Sequence, residues 1–101
     1  MVSNWGETKV LKDTIRERVA SFTLNPDSVL PEQEDLMLYK MFLVTDGELE
    51  LQRRIGPIKS THRLSKGQST VVIPGCFHKI SNVYDGLTKF ILVEQQTKFT
   101  S

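Results

Sequence analysis

The stretch Gly67-Gln-Ser-Thr-Val-Val-Ile-Pro-Gly-Cys-Phe-His-Lys-Ile-Ser-Asn82 decides the fold class of this chain. A turn glycine opens it, β-branched residues run from Thr70 to Ile73, and Pro74-Gly75 ends that run. A single histidine, His78, follows the second glycine after two intervening residues. Because β-branched residues favour strands and Pro-Gly breaks them, the stretch predicts a strand, a tight turn and a second strand. The imidazole lies at the start of the second strand.

Strand and turn signals of the same kind recur along the rest of the chain. Asp46-Gly47 and Asp85-Gly86 predict hairpins, since Asp-Gly is the strongest short hairpin signal. The alternation around Leu49 and Leu51 predicts that both leucines face the core. About eight short strands with turn signals roughly every 8–12 residues are typical of an all-β sandwich or barrel. The clearest strand segments are residues 20–24, 36–44, 48–52, 60–64, 69–73, 78–83 and 88–95.

The beginning of the chain has little pattern. We therefore expect an N-terminal arm or strand over residues 1–20, a barrel over residues 21–95 and a tail over residues 96–101. The segment from Trp5 to Ile15 is a candidate strand for a neighbouring subunit, because sheet edges invite pairing. A homodimer, the commonest closed symmetry, is the expected assembly.

The composition indicates which classes of partner and which cellular compartment to expect. The chain has 101 residues, 39% of them hydrophobic, and a net charge of +1, which fits one compact domain without attraction to nucleic acid or membrane. Cys76 is the only cysteine, so an internal disulfide is excluded, as suits a reducing compartment. The N-terminus carries no secretory pattern, and no apolar run reaches the length of a membrane span. We expect a cytoplasmic protein.

The opening stretch resembles the second signature motif of the cupin superfamily, G-x5-P-x-G-x2-H-x3-N. Four of its positions fall at the motif's spacing, and Pro74 lies directly before the glycine instead of one place earlier. The resemblance implies an all-β, double-stranded β-helix barrel of the jelly-roll type. The four matching residues are Gly67, Gly75, His78 and Asn82.

The first cupin motif, G-x5-H-x-H-x3,4-E-x6-G, is depleted in this sequence. With Gly47 as its closing glycine, the glutamate position falls on Lys40 and the histidine positions carry no histidine. Of the family's usual ligand set only His78 remains, whereas a stable divalent site needs about three protein ligands. We expect no cofactor, and a divalent metal is the less favoured alternative. The residues that could complete a non-standard site with His78 are Glu32, Glu34, Asp35 and His62.

His78, Ile80 and Asn82 share one face of their strand because side chains alternate with a period of two. His78 either hydrogen-bonds inside the barrel mouth or exchanges a proton with a ligand. Lys40 either faces out, pairs with a glutamate such as Glu94, or binds an anion. The predicted ligand-binding residues are therefore His78, Ile80, Asn82 and Lys40.

Two functions from different classes remain open at this stage. The first is a small-molecule-binding cupin without the usual metal, and the second is a metal-dependent dioxygenase or isomerase that uses His78 with carboxylate ligands. A cyclic-nucleotide-binding domain shares the layout but is disfavoured, because the second half lacks a Gly-Glu run followed by arginine.

Overall fold

A computed structural model describes residues 2–33 and 37–96 of the chain. Every regular element within these residues is a strand, and none of them forms a helix that could cross a membrane. The nine strands are β1 (Val2–Ser3), β2 (Gly6–Asp13), β3 (Glu17–Leu24), β4 (Leu38–Asp46), β5 (Glu48–Ile55), β6 (Ile58–Ser65), β7 (Ser69–Val72), β8 (Phe77–Asn82) and β9 (Thr88–Gln96).

The strands form two antiparallel sheets that face each other. The larger sheet has the order β1-β2-β3-β9-β4-β7, and the smaller has the order β6-β5-β8. The segment before residue 34 lies along the free edge of β8 through bridges at Val29 and Gln33. The all-β, jelly-roll prediction is confirmed, because consecutive strands repeatedly cross from one sheet to the other.

The core lies between the inner faces of the two sheets. Leu49 and Leu51 are fully buried in it, as their alternation with glutamates predicts. Phe42 and Phe90 pack on the opposite wall with ring centroids 5.8 Å apart. These four belong to a larger cluster of buried hydrophobic residues, and burial of apolar surface is the main stabilising term for a domain this small.

The two predicted Asp-Gly hairpins are wrong. Asp46-Gly47 joins β4 of the larger sheet to β5 of the smaller, and Asp85-Gly86 likewise lies between β8 and β9. Gly47 adopts a φ of 80°, and a Cβ there would lie 2.5 Å from Oγ1 of Thr88. The Asp-Gly turns therefore connect strands of different sheets, whereas Gly56-Pro57 forms a two-residue hairpin between β5 and β6.

The N-terminal segment is more regular than its sequence indicates. Residues 6–13 form β2, which pairs along its length with β3 of the same chain, and its pairing with a neighbouring subunit stays a prediction. Most of β2 is exposed, so it lacks the burial alternation that reveals a half-buried strand. β3 begins at Glu17 and runs through the predicted boundary between residues 20 and 21. The division into arm, barrel and tail stays a prediction.

Candidate functional site

Strand β8 carries three of the predicted site residues on its inner face. His78, Ile80 and Asn82 are 3%, 6% and 2% exposed, whereas the residues between them are half-buried. Backbone hydrogen bonds join His78 to Gln33 in both directions, at 2.9 Å each. The imidazole is therefore held by strand pairing on both sides of β8, and it points between the sheets.

Lys40 lies inside the barrel, so the interpretation that it faces out is wrong. It is 2% exposed, and its Nζ lies 3.6 Å from Oε2 of Glu94, its register neighbour on β9. The same Nζ lies 3.3 Å from Nε2 of His78. Glu94 also approaches Arg18 at 3.9 Å, which links it to the surface. We call Lys40, His78 and Glu94 the buried cluster.

The geometry of the buried cluster fixes how its hydrogen bonds run. A lysine ammonium can only donate hydrogen bonds, so beside a charged Lys40 the Nε2 atom of His78 is the hydrogen-bond acceptor and the imidazole is neutral. Nδ1 of His78 then carries the ring proton and faces the carbonyl oxygen of Cys76 at 3.4 Å. Glu94 balances the ammonium charge. The ion pair with Glu94 replaces the hydration that Lys40 loses on burial, and this lowers the free-energy cost of burying the lysine.

The described residues do not fit the divalent metal that the cupin resemblance implies. A metal at His78 would need the lone pair of Nε2, which faces the Lys40 ammonium instead. Within residues 2–33 and 37–96, no three His, Cys, Asp or Glu side chains form a group that could hold a metal ion. Glu32 pairs with Arg54 at 3.2 Å, and His62 is exposed on β6. Glu34 and Asp35 lie outside the described residues.

A small cavity lies beside His78 and Ile80. Its volume is about 50 Å³, and aromatic and aliphatic side chains from both sheets surround it. Pockets for drug-sized ligands are typically about 300–1,000 Å³, while one water occupies about 30 Å³. Among the described residues, this cavity beside His78 is therefore too small for a drug-sized ligand. The cavity is lined by Phe22, Leu30, Pro31, Gln33, Phe42, His78, Ile80, Phe90 and Leu92.

The side chain of Asn82 forms hydrogen bonds with five other residues of the chain. Its Nδ2 lies within 3.1 Å of the carbonyl oxygens of Leu24, Asn25 and Gly86. Its Oδ1 accepts hydrogen bonds from the Tyr84 amide at 2.9 Å and from the Thr88 hydroxyl at 2.7 Å. These contacts tie the end of β8 to the end of β3 and the start of β9. Asn82 is not among the residues that line the cavity.

Sequence reasoning missed two residues next to His78. Phe42 packs edge-on against the imidazole at 6.1 Å between ring centroids, and Arg53 is the register neighbour of His78 on β5. The side chain of Arg53 reaches the Thr70 hydroxyl, and its Nε is buried without a hydrogen-bond partner among the described residues. A basic residue at an inward position of an alternating strand is the signal that could have revealed Arg53.

Comparisons with known proteins bear on the fold. No protein-family model matches the chain, and no curated protein matches it. The Cnp3 cupin domain of Schizosaccharomyces pombe superposes with a TM-score of 0.79 at 14% identity, over 88% of this chain and 63% of that one. A cupin superfamily protein from Desulfitobacterium hafniense gives a TM-score of 0.76 at 16% identity, over 88% and 75%.

The chain has the cupin fold. Drosophila melanogaster CENP-C bound to CAL1 is a further structural neighbour, with a TM-score of 0.72 and 15% identity over 76% of this chain and 60% of that one. The chain thus spans less than two thirds of the Cnp3 and CENP-C chains that it matches. Within this cupin fold, the buried cluster occupies the interior at which the motif resemblance places a metal ligand.

Proposed function

We propose that this cupin-fold chain is a self-associating assembly domain in which two copies pair through the outer face of the larger sheet. The observation that carries the proposal is a contiguous apolar surface on that face. Met41 pairs in register with Val71 on β7 and with Val93 on β9, and Val93 pairs with Val19 on β3. Directly paired residues of antiparallel strands share a face, so these four side chains form one row across four strands.

Neighbouring rows extend the apolar surface. Leu43 pairs with Ile91 on one side of the central row, and Tyr39 lies on the other side. Tyr39 and Met41 are 40% and 38% exposed, although their strand lies between β9 and β7 and is not an edge of the sheet. We call this surface the outer apolar face; it comprises Val19, Tyr39, Met41, Leu43, Val71, Ile91 and Val93.

The outer apolar face can form the centre of an interface with a second copy. Its seven residue positions, with strands about 4.8 Å apart and same-face residues about 6.8 Å apart, give a projected area of roughly 230 Å². A standard interface buries about 800 Å² per partner, so the polar residues around the apolar face would supply the remaining contact area as its rim.

The rim of the outer apolar face carries both signs of charge. Lys12 and Glu17 form an ion pair at 2.9 Å at one border. A hydrogen bond from Gln95, and then one from Lys12, hold the pKa of the Glu17 carboxyl below its usual value. A mixed polar rim around an apolar centre is the usual anatomy of a protein interface, and it suits a two-fold contact between identical faces.

Two further observations favour a role in assembly over a role in catalysis: the small size of the cavity beside His78, and the structure of CENP-C bound to CAL1. A cavity of about 50 Å³ leaves little room for a substrate. The CENP-C structure contains a second protein, CAL1, so a cupin fold is found there in a protein complex. We extend this use of the fold, and not the identity of the partner, to the present chain.

Sedimentation tests the proposal. We expect the wild-type chain to sediment as a dimer at micromolar concentration, and Met41→Glu to sediment as a monomer with an unchanged far-ultraviolet spectrum. Val29→Glu is the matched control, since Val29 is 48% exposed but bridges to Ser81 at the edge of the other sheet. A wild-type monomer, or dimers of equal strength in both variants, would overturn the proposal.

A second candidate function is the binding of a ligand of a few heavy atoms in the cavity beside His78. The mixed lining favours it, because imidazole and Gln33 amide groups lie among apolar side chains. A thermal-shift screen of small carboxylates, amides and alcohols tests this function. Stabilisation that is retained in Met41→Glu and lost in His78→Ala would support it, while no shift with any compound would count against it.

A further inference from the structure

The hairpin of β5 and β6 forms a basic sheet edge on the opposite side of the molecule from the outer apolar face. Residues 48–66 contain five of the chain's 13 lysines and arginines but two of its 12 aspartates and glutamates. The rest of the chain is therefore net acidic, although its overall charge is only +1. The positive charge is concentrated on one supersecondary element.

Strand β6 is an open edge. It pairs with β5 on one side, and no other strand of the described residues pairs with it. All of its eight residues except Leu64 are exposed. The backbone N–H and C=O groups on the outer side of an edge strand form a ready template for another strand. At eight residues, β6 is long enough to pair with a peptide over its length.

A groove follows the same hairpin. Its volume is about 290 Å³, and three cationic side chains line it against one carboxylate. Arg54 is held in place there, because its guanidinium lies 4.2 Å above the ring of Phe77 and 3.2 Å from the Glu32 carboxylate. Lys59 is its register neighbour on β6. The groove is lined by Glu32, Gln52, Arg53, Arg54, Lys59, Ser60 and Thr61.

The tip of the hairpin adds an apolar contact. Ile55 and Ile58 flank the Gly56-Pro57 turn and are 54% and 71% exposed. The edge thus combines unpaired backbone, fixed positive charge and an exposed isoleucine pair.

We propose that β6 binds an extended acidic segment of a partner protein by strand addition. The backbone of the segment would pair with β6, its carboxylates would meet Lys59, Arg54 and Arg63, and an apolar residue would cover Ile58. Charge complementarity argues for an acidic occupant. Strand addition supplies affinity through main-chain hydrogen bonds and specificity through alternate side chains. This surface is separate from the outer apolar face.

Lysines on edge strands also prevent unwanted pairing between sheets, so the test must separate recognition from protection. The probe is a fluorescent eight-residue peptide that alternates glutamate with valine. One control peptide replaces each glutamate by lysine, and the other keeps the glutamates and replaces two central valines by proline. Proline removes backbone donors and prevents extension of a sheet.

Fluorescence polarisation measures binding, and amide chemical shifts locate it. We expect the acidic peptide to bind and to shift the amides of residues 58–65, and both control peptides to bind at least about tenfold more weakly. Lys59→Glu should weaken binding by about tenfold, whereas Lys89→Glu, a charge reversal on the larger sheet, should not. Higher salt should weaken binding.

Three results would overturn the proposal. The first is no binding of the acidic peptide at millimolar concentration. The second is equal binding of the proline-containing peptide, which would leave charge attraction without strand addition. The third is equal weakening by Lys59→Glu and Lys89→Glu. Each result is independent of whether Met41→Glu separates the dimer, so failure here and failure of the proposed assembly are distinguishable.

Discussion

The Nζ atom of Lys40 lies 3.3 Å from Nε2 of His78 in the interior of the barrel. Glu94 completes the arrangement at 3.6 Å from the same Nζ. The ammonium therefore faces the imidazole lone pair that a metal ion would otherwise use, and it brings a counter-charge with it. We call the Lys40 ammonium the internal cation. It is part of the chain, whereas a metal ion would have to bind from solution.

Removal of the internal cation should destabilise the fold. We expect Lys40→Met to lower the free energy of unfolding by about 2–4 kcal/mol, because Glu94 and His78 would stay buried without the ammonium. Lys12→Met is the control, since Lys12 is 57% exposed and water screens its pair with Glu17, so its loss should change the free energy of unfolding little. Urea denaturation measures both variants, and equal losses would contradict a special role for the buried pair.

Asn82 should behave as a structural residue. Asn82→Ala would remove three hydrogen bonds to backbone carbonyls and two accepted by Oδ1, at a cost of about 2–4 kcal/mol in the free energy of unfolding. Asn25→Ala is the control, because Asn25 is exposed and its side chain donates one hydrogen bond, to Asn4, at 3.2 Å. If the Asn82 variant kept wild-type stability, the five hydrogen bonds of the Asn82 side chain would make no net contribution to the free energy of unfolding.

Two glycines with similar backbone angles should respond differently to alanine. Gly47 and Gly67 have φ values of 80° and 85°, so alanine is strained at both by about 1–2 kcal/mol. A Cβ at Gly47 would lie 2.5 Å from Oγ1 of Thr88, whereas a Cβ at Gly67 would meet open space. We expect Gly47→Ala to be the more destabilising variant in thermal denaturation; equal shifts would show that Thr88 moves aside without cost.

Metal removal should leave the protein unchanged. Dialysis against a chelator should alter neither the melting temperature nor the sedimentation behaviour, because the described donor set does not fit a divalent ion. Nitrogen-15 spectra should show His78 with a proton on Nδ1 and an accepting Nε2, and the exposed His62 provides a reference signal. A marked loss of stability on chelation, or a His78 signal that shifts with added zinc, would point to a metal site instead.

Much of the fold could be predicted from local pattern. Leu49 and Leu51 are buried as their alternation indicates, and the second motif places His78 and Asn82 inside the barrel. Strand β2 was predicted only as a candidate strand, and its pairing with β3 was not, because its side chains are mostly exposed and no burial alternation marks it. The Asp46-Gly47 turn misled for a related reason: a turn sequence specifies a reversal but not which sheet the next strand joins.

The sequence by itself determined that this is a β protein with an imidazole at the start of the strand that follows Pro74-Gly75, because alternation, turn residues and motif spacing are local properties. Only the tertiary structure decided that Lys40 faces inward and meets both Glu94 and His78, which are 54 and 38 positions away. Lysine tolerates either side of a strand, and its cost of burial depends on partners that the chain brings together only when the sheets close. The outer apolar face has the same origin, since its rows exist only across four strands.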